Sequence, residues 1–473
     1  MSYPSNWRIC KLPEVVYFQE GTGLRKFQYR TSGIPFLNIR TLLNGRVNRK
    51  LCQYISTEEV EQKYKHFLLN EGDIICSTSG TLGKTAVIHA EDLPLLLNTS
   101  VMRFRSLNEE IITQKYIHLY LKSDFFINQA INASTGSAQV NVGPTHMKTF
   151  DIPVPPLNEQ KRITEKLDSL LARVDSCQTH LERVPQILKR FRQSVLAAAT
   201  SGRLTEDWRD KRGQSKGNIS FDFMDANCFG DYEFPDTWKP QRLKDIADVI
   251  GGITKDSKKQ NVEDEELPYL RVANVQRGYL DLTEMKTIRV PKQRLESWLL
   301  KPGDILFNEG GDIDKLGRGW VWNGEIERCI FQNHVFRARL KDSTFASKYF
   351  SHYGNSRGYD YFLAYGKQTT NLASINKTII EALPVAVPPP DEQTEIVRRV
   401  EKLFAYAERL EARYYSASEH VERLTPSLLA KAFRGELVEQ DAGDESAEEL
   451  VERIREERKD LAASPKIKRG KRG

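Results

Sequence analysis

The feature that most constrains this chain is an internal repeat. The segment PPLNEQ at 155–160 returns as PPPDEQ at 388–393, so the two copies lie 233 positions apart (388 minus 155). At the same displacement, SVLA at 194–197 returns as SLLA at 427–430. Repetition on this scale indicates a duplicated structural unit, and the fold should therefore contain two similar halves.

The blocks that precede the repeated segments resemble each other more loosely. Trp7 corresponds to Trp238, and both blocks contain short β-type runs separated by Gly, Pro and Asn. Each block then has a more helical stretch, at 113–131 in the first and at 347–363 in the second. The pattern predicts the α+β class, with two mixed α/β domains that have antiparallel, β-rich cores.

A heptad pattern follows each block. Apolar residues alternate in steps of four and three, which is the a/d pattern of a coiled coil. At 1.5 Å per residue the first helix would be about 48 Å long. Pro185 and Pro426 fall inside the pattern, so each helix should kink or restart there. The predicted seam consists of Ile163, Leu167, Leu170, Val174, Leu181 and Leu188 in the first helix, and of Ile396, Val400, Leu403, Leu410, Val421, Leu424 and Leu428 in the second.

These signals predict the domain organisation. Each half should contain a globular domain and then a helical region, and a polar linker should join the halves. We expect the acidic-then-basic C-terminal segment to be a solvated, mobile tail. The predicted segments are a first globular domain at 1–150, a helical region at 151–209, a linker at 210–233, a second globular domain at 234–383, a helical region at 384–440 and the tail at 441–473.

Composition excludes several classes of protein. Hydrophobic residues make up 39% and aromatic residues 10% of the 473, which is enough for packed cores and argues against disorder. No run approaches the roughly 18 apolar residues of a membrane span, and the N-terminus lacks a secretory signal pattern. The six cysteines never form CxxC, which argues against a zinc ribbon or a disulfide framework. We expect a soluble, cytoplasmic protein without membrane contact.

The net charge of +6 is weak evidence for nucleic-acid binding. Residues 453–473 carry nine basic and three acidic groups and so account for all of it. The rest of the chain is balanced, and any basic face there must be local.

The sequence lacks the motifs of common active sites. The Gly-rich segment 80–85 lacks the spacing of a phosphate-binding loop, and the eight histidines form no HExxH or HxH pair. Asp236, Asp256 and Lys258 resemble the acidic pair and lysine of magnesium-dependent nucleases, but the first half has Asn6 at the position of Asp236. The sequence therefore predicts neither a catalytic nor a metal-binding residue.

Two similar domains joined by rigid helices suit a ligand with two sites at a fixed distance. Double-stranded DNA is such a ligand, because half-sites recur at a helical spacing of about 34 Å. In the major groove Arg and Lys read guanine, whereas Asn and Gln read adenine. Each such loop residue, taken singly, is equally compatible with a solvent-facing turn. The candidate DNA contacts are Lys84, Asn98, Arg103, Gln139 and Asn141 in the first domain, and Asn308, Lys315, Arg318, Gln332, Asn333, Lys367, Gln368 and Asn371 in the second.

The chain resembles the specificity subunit of type I restriction-modification systems, in particular the subgroup called type IA. The likeness lies in the Pro-rich Glu-Gln segments, the heptad helices, and the helix endings LKRFRQS at 188–194 and LAKAFRGEL at 429–437. The resemblance implies that each globular block is a target recognition domain that reads one half of a split DNA site. It also implies that the two helices pack as an antiparallel coiled coil, which serves as a spacer and docks two methyltransferase subunits.

The same resemblance assigns every catalytic step to partner subunits. Methyltransferase subunits would bind S-adenosylmethionine and methylate adenine at N6, and restriction subunits would use ATP and magnesium to translocate and cut DNA. This chain would bind no cofactor itself and would not be an enzyme.

Two other interpretations fit the sequence. One is the specificity subunit of a methylation-only system, whose sequence would look the same. The other is a coiled-coil scaffold whose helices and globular domains both bind protein. The salt dependence of binding separates DNA recognition from the scaffold, because phosphate contacts weaken steeply with salt.

Overall fold

A computed structural model of the protein describes residues 3–43, 45–134, 141–214, 217–219, 233–254, 264–368, 373–453 and 456, with backbone only at 219, 292–294 and 368. The chain forms two units. The first unit consists of Met1–Glu182 together with Ser416–Gly473, and the second of Arg183–Tyr415. Each unit therefore combines one globular block with parts of both helical regions.

The first unit contains ten short strands and six α-helices, besides short 3-10 and π-helical turns, among its described residues up to 182. The strands are β1 Arg8–Lys11, β2 Val16–Glu20, β3 Ile34–Phe36, β4 Leu42–Leu43, β5 Arg46–Val47, β6 Gln53–Ile55, β7 Ile74–Ser77, β8 Thr85–Val87, β9 Val101–Ser106 and β10 Asp151–Val154. The helices are α1 Leu12–Val15, α2 Thr57–Glu59, α3 Gln114–Lys122, α4 Asp124–Ala133, α5 Pro144–Met147 and α6 Leu157–Leu181.

A four-stranded antiparallel sheet in the order β2-β9-β7-β8 forms the centre of this unit. All four residues of β7 are buried, because β7 has a neighbouring strand on each side and α3 lies close to it. Ile74 lies opposite Phe104 of β9, and Tyr116 and Tyr120 of α3 belong to the same core. Strand β1 pairs antiparallel with β10, which brings the two ends of the domain together.

The second unit repeats this layout. Its strands are β11 Asn218–Ile219, β12 Phe234–Pro235, β13 Lys239–Arg242, β14 Ala247–Gly251, β15 Glu265–Leu270, β16 Lys286–Val290, β17 Ile305–Asn308, β18 Gly310–Gly311, β19 Gly319–Val321, β20 Ile330–Phe331, β21 Val335–Leu340, β22 Lys367–Gln368, β23 Ala373–Ser374 and β24 Pro384–Val387. Its helices are α7 Val184–Thr200, α8 Glu206–Asp210, α9 Leu243–Ile246, α10 Lys292–Trp298, α11 Ser347–Asn355, α12 Arg357–Tyr365, α13 Lys377–Glu381 and the greater part of α14 Pro390–Ala432.

The central sheet of the second unit has the order β14-β21-β17-β19, and β13 pairs with β24 as β1 does with β10. The two sheets therefore have the same topology, strand for strand. This arrangement confirms the expected mixed α+β class with antiparallel sheets, two long helical regions and an internal repeat.

The two prolines in the heptad pattern behave differently. The first helical region breaks after α6 and restarts as α7, with Pro185 in its first turn, as expected. Helix α14 instead continues through Pro426, so it does not restart there, and a kink at this proline stays a prediction. Leu429 and Phe433, beyond this proline, are buried in the core of the first unit, and this burial offsets the lost backbone hydrogen bond.

Within the second unit the two helical regions run antiparallel. Arg192 Nη2 lies 2.7 Å from Glu411 Oε2, and Arg399 Nη1 donates to the carbonyl oxygen of Leu204 at 2.8 Å. As the first region advances from 192 to 204, its contacts on α14 move back from 411 to 399.

The residues of the predicted seam differ in how far they are buried. Leu424 is 43% exposed, so its assignment to the seam is corrected; the buried leucine near this end of α14 is Leu429, which packs into the domain core. The buried seam residues are Ile163, Leu167, Val174, Leu188, Ile396 and Val400, and the half-buried ones are Leu170, Leu181, Leu403, Leu410, Val421 and Leu428.

The acidic segment after α14 is packed rather than solvated as expected. Residues 447–453 are helical, and the backbone nitrogen of Ala447 donates to the carbonyl oxygen of Asn6 at 3.1 Å. Arg162 Nη2 lies 2.7 Å from Asp444 Oδ2. The predicted tail therefore begins as part of the first unit, and its basic end lies outside the described residues.

The repeated Glu-Gln dipeptides anchor each domain to the helix that follows it. Trp7 Nε1 donates to Glu159 Oε2 at 3.0 Å, and Trp238 Nε1 donates to Glu392 Oε2 at the same distance. All four side chains are buried. In each half, the tryptophan near the start of the domain thus donates a hydrogen bond to the glutamate at the start of the helix that follows the domain.

The glutamines make the second connection. Gln160 accepts a hydrogen bond from the backbone nitrogen of Thr113 at 2.9 Å, next to the start of α3. Gln393 accepts one from the backbone nitrogen of Ala346 at 2.9 Å, next to the start of α11. Since α3 and α11 pack close to the central sheets, these bonds fix each sheet relative to its helix.

Candidate nucleic-acid interface

Three loops meet at one end of the first central sheet. Strands β2 and β7 end there and β8 and β9 begin there, because neighbouring strands are antiparallel. The loops are 21–23, 78–84 and 98–100. We call these loops, together with Asn141, the first loop end.

The second central sheet gathers the equivalent loops. Strands β14 and β17 end, and β19 and β21 begin, at one end of the sheet. The loops are 252–254, 309–318 and 332–334. We call them, with β22 and β23, the second loop end, since β23 pairs with Gly310–Gly311 inside the longest of these loops.

Backbone pairing fixes the polar residues of the first loop end. Asn98 forms an isolated bridge with Thr22, and Asn141 forms one with Ser79. A Cβ atom at Gly21 would lie 2.4 Å from the backbone of Asn98, so only glycine allows this approach. The side chain of Asn98 is half-buried and that of Asn141 is exposed. Both amides are thus held by the main chain and remain accessible to a ligand.

Lys84 closes the loop 78–84 immediately before β8. Its backbone nitrogen donates to Ser77 Oγ at 3.0 Å, and the preceding Gly83 has a φ of +74°. The side chain of Lys84 is exposed. A fixed backbone with a free cationic side chain is suited to binding a phosphate or a base edge.

Similar pairing holds the second loop end. Ile253 bridges Gln332, and the backbone nitrogen of Asn333 donates to the carbonyl oxygen of Ile253 at 2.9 Å. The backbone nitrogen of Glu309 donates to the carbonyl oxygen of His334, also at 2.9 Å. The side chains of Gln332 and Asn333 are half-buried, so their amides are partly accessible.

Two guanidinium groups, those of Arg277 and Arg318, lie beside the second loop end. Burial lowers the pKa of Arg277 and neighbouring Arg318 lowers it further, while Tyr359 and the Asp314 carboxylate act in the opposite direction. Arg277 donates to the carbonyl oxygens of Asn355 at 2.8 Å and Asp314 at 3.1 Å, and its guanidinium lies 4.6 Å from the centre of the Tyr359 ring. A phosphate near these groups would reduce their mutual repulsion.

Comparison with known proteins decides the family. A model described as the type I restriction modification DNA specificity domain matches residues 4–186 and 235–415. The chain is 30% identical over 472 residues to the EcoKI specificity subunit of Escherichia coli strain K12, and 31% identical over 471 residues to the StySPI specificity subunit of Salmonella potsdam. Each alignment covers 96% of both chains. The chain belongs to the type I restriction-modification DNA specificity family.

Solved structures share the fold of this specificity-family chain. A chain from a study of type I restriction-modification complex assembly and conformational transition has a TM-score of 0.64 at 20% identity, covering 92% of this chain and 100% of that one. The HsdS subunit from Thermoanaerobacter tengcongensis has a TM-score of 0.59 at 20% identity, covering 92% and 99%.

Most of the predicted DNA contacts of this specificity-family chain lie at the two loop ends. Those with described side chains, exposed or half-buried, are Lys84, Asn98 and Asn141 at the first loop end and Lys315, Arg318, Gln332, Asn333 and Lys367 at the second. Gln139 and Asn371 lie outside the described residues, and for Gln368 the backbone in β22 is described. Their contact with DNA stays a prediction.

Two of the predicted contacts are corrected by their burial. Arg103 is 6% exposed and donates to the carbonyl oxygens of Leu68 at 2.8 Å and His66 at 2.9 Å. Asn308 is fully buried and its Nδ2 donates to the carbonyl oxygen of Val275 at 2.8 Å. Both side chains hold loops in place and do not face a ligand.

Sequence reasoning missed some residues of the interface. Arg277 lies directly before Gly278, the counterpart of Gly45 in the repeat, and this position is the signal that would have indicated a loop residue. Thr22 and Ser79 were missed because they act through backbone bridges, for which the sequence carries no signal.

The described residues give no sign of a metal centre or of a membrane span. Within them, no three His, Cys, Asp or Glu side chains are placed so as to hold a metal ion. None of the helices described is both long enough and apolar enough to cross a bilayer. Asp236 is exposed, while Asp256 and Lys258 lie outside the described part of the chain.

Proposed function

We propose that this chain recognises a split DNA target for a type I restriction-modification complex, each loop end reading one half of the target. Two observations support this proposal. The chain belongs to the specificity family, and its two central sheets present equivalent loops. In this role the chain is not catalytic. Partner subunits supply S-adenosylmethionine for methylation of adenine at N6, and ATP with magnesium for translocation and cleavage.

Base recognition rests on the accessible amides and cations of the loop ends. Asn141 and Asn333 have the donor and acceptor pair that matches adenine, and Lys84 and Arg318 have the donors that match guanine. Because backbone pairs hold these loops, little backbone conformational entropy is lost on binding. The two loop ends differ in sequence on the same frame, so the two halves of the target should differ.

The helices supply the spacing and the protein contacts. In the second unit Ile187 is 59% exposed, Tyr406 50% and Tyr415 64%. Exposed aromatic and branched side chains on a helix are typical of surfaces that a protein partner covers. Tyr406 and Tyr415 are nine residues apart and so point to opposite sides of α14, and we therefore assign the exposed surface of these helices as a whole, not one face of it, to docking of methyltransferase subunits.

Mapping modified bases tests the proposal in cells. DNA from a host with the gene and from one without it is compared for N6-methyladenine. Loss of methylation at one motif with two fixed halves and an unspecified gap is the expected result. Methylation without cleavage would identify a methylation-only system, and an unchanged map together with salt-insensitive binding to proteins would favour the scaffold.

Exchange of domains tests the assignment of half-sites. Replacing residues 1–150 by the recognition domain of a relative should change one half of the motif, because the other half is read by the second unit. Retention of both original halves would contradict the assignment.

Insertion of residues tests the spacer. Four residues or one heptad inserted near Ala172 should change the tolerated gap and leave both half-sites as they were. A change in the half-site bases instead would contradict the spacer role.

A further inference from the structure

Phe27 is the most exposed large hydrophobic side chain among the described residues. It is 80% exposed, whereas the next two, Tyr415 at 64% and Ile187 at 59%, lie on helices, and Tyr279 at 57% lies in a loop. Phe27 occupies the middle of a 3-10 turn at Lys26–Gln28. Single exposed hydrophobic side chains are common on protein surfaces, so the case for Phe27 depends on what surrounds the ring.

The surrounding residues impose this exposure. Gln28 is 7% exposed, accepts from the backbone nitrogen of Arg25 at 2.8 Å and donates to the Tyr64 hydroxyl at 3.3 Å. The ring of Tyr29 packs against that of Phe36 with centroids 5.1 Å apart. Because both residues after Phe27 are anchored inward, the turn holds the Phe27 ring outward.

The turn directly continues the first loop end. A Cβ atom at Gly23 would lie 3.7 Å from Thr99 Cγ2, so Gly23 is in contact with the loop 98–100. Lys26 follows Gly23 by three residues, which span at most about 11 Å. A DNA duplex bound at the first loop end is wide enough to reach the turn.

The charges around the ring match DNA. Arg25, Lys26 and Arg30 are exposed, and residues 24–31 contain no acidic side chain. Arg30 Nη1 donates to the carbonyl oxygens of Phe27 at 2.8 Å and Tyr29 at 3.0 Å, which keeps its positive charge beside the ring. The Glu59 carboxylate lies on the inner side of the turn, where it accepts from Gln28 Nε2. A ring flanked along the chain by three exposed cations favours a polyanion with apolar faces over an apolar protein surface.

We propose that Phe27 inserts between or stacks on bases of DNA bound at the first loop end, while Arg25 and Lys26 contact the flanking phosphates. Apolar wedges that enter the stack and kink the duplex are a known mode of DNA binding. An enzyme that modifies a base must take it out of the stack, and a wedge beside the target lowers that cost. The inference rests on the proposed function and adds to it the residue that distorts the DNA.

The test uses the full chain and a duplex that it selects from a random-sequence pool. 2-Aminopurine, whose fluorescence rises when it unstacks, replaces each base of the selected motif in turn. The variants are Phe27→Ala and Phe27→Trp, and Leu51→Ala is the matched control because Leu51 is 48% exposed in the same unit. The dissociation constant and the fluorescence are measured between 50 and 200 mM salt.

The wild-type chain should raise the fluorescence at one step of one half-site. Phe27→Ala should abolish this rise and weaken binding by about 5- to 150-fold, the value of one aromatic–base stack, with an unchanged salt slope. Phe27→Trp should retain both the rise and the affinity, and Leu51→Ala should match the wild type. If the Phe27→Ala chain binds DNA normally, or keeps the fluorescence rise, the inference about Phe27 is wrong while the proposed function still holds. A wild-type chain that selects no DNA would overturn the proposed function as well.

Discussion

Replacement of Glu392 by Gln should destabilise the second unit much more than replacement of Glu159 by Gln destabilises the first. Both carboxylates are buried and accept an indole N–H at 3.0 Å. Their other partners differ. Glu392 forms an ion pair with Arg209, which is 3% exposed, whereas Glu159 faces the neutral amide of Gln440 at 2.6 Å.

The difference in partners determines how much stability each variant loses. Removing one charge of a buried pair leaves the other uncompensated and costs about 3–5 kcal/mol, which we expect for Glu392→Gln because Arg209 stays buried. At Glu159 burial raises the pKa of the carboxyl, so the charged form is already disfavoured there. A neutral amide that keeps the bond to Trp7 should therefore cost about 1 kcal/mol or less.

Urea denaturation followed by tryptophan fluorescence measures both losses, and hydrogen exchange of peptides that contain each variant site assigns them to a unit. Adding Arg209→Leu to Glu392→Gln removes the orphaned charge and should recover part of the stability. Equal losses for the two single variants, or no recovery in the double variant, would refute this reasoning.

Further predictions concern pH, backbone and ligand contacts. Burial lowers the pKa of His352 to about 4. The unfolded chain therefore binds more protons between pH 6.5 and 4, and the second unit should lose about 2 kcal/mol between pH 7 and 5; His352→Leu should lose less over the same range. Gly435 has a φ of +75°, and its Cβ would lie 2.5 Å from Pro4 Cγ. Gly435→Ala should cost about 1–3 kcal/mol, measured by thermal unfolding. Lys84→Ala should weaken DNA binding and reduce the salt slope by about one, whereas Arg103→Ala should lower the stability of the first unit without changing that slope.

Patterns that repeat along the chain predicted the fold well. The Glu-Gln dipeptides and the heptads are local signals, so the two domains and their helices could be placed from sequence. The helical stretch 113–131 shows the limit of such signals, because it consists of two helices, α3 and α4, and the sequence pattern did not place the break between them. Ser123 Oγ accepts from the backbone nitrogen of Phe126 at 3.4 Å and donates to the carbonyl oxygen of Tyr120 at 2.6 Å, and so starts the second helix. Serine fits both a cap and a helix surface, and the sequence does not distinguish them.

The sequence predicted which types of residue the interface contains, but it did not predict which individual residues are accessible there. Lys84 and Arg318 follow glycines in matching loops, a pattern visible in the repeat. Arg103 has the same chemistry, yet its partners are carbonyl groups 35 and 37 positions away. Such long-range contacts depend on how β9 packs, which local sequence does not specify.

Selection of DNA by the purified full chain from a random-sequence pool tests whether the two loop ends read two separate half-sites. We expect enrichment of one motif with two fixed halves and an unspecified gap. Affinity for it should fall by about a thousandfold or more between 50 and 200 mM salt, as expected for six or more phosphate contacts. Enrichment of an uninterrupted motif, or no enrichment at any salt concentration, would contradict this expectation.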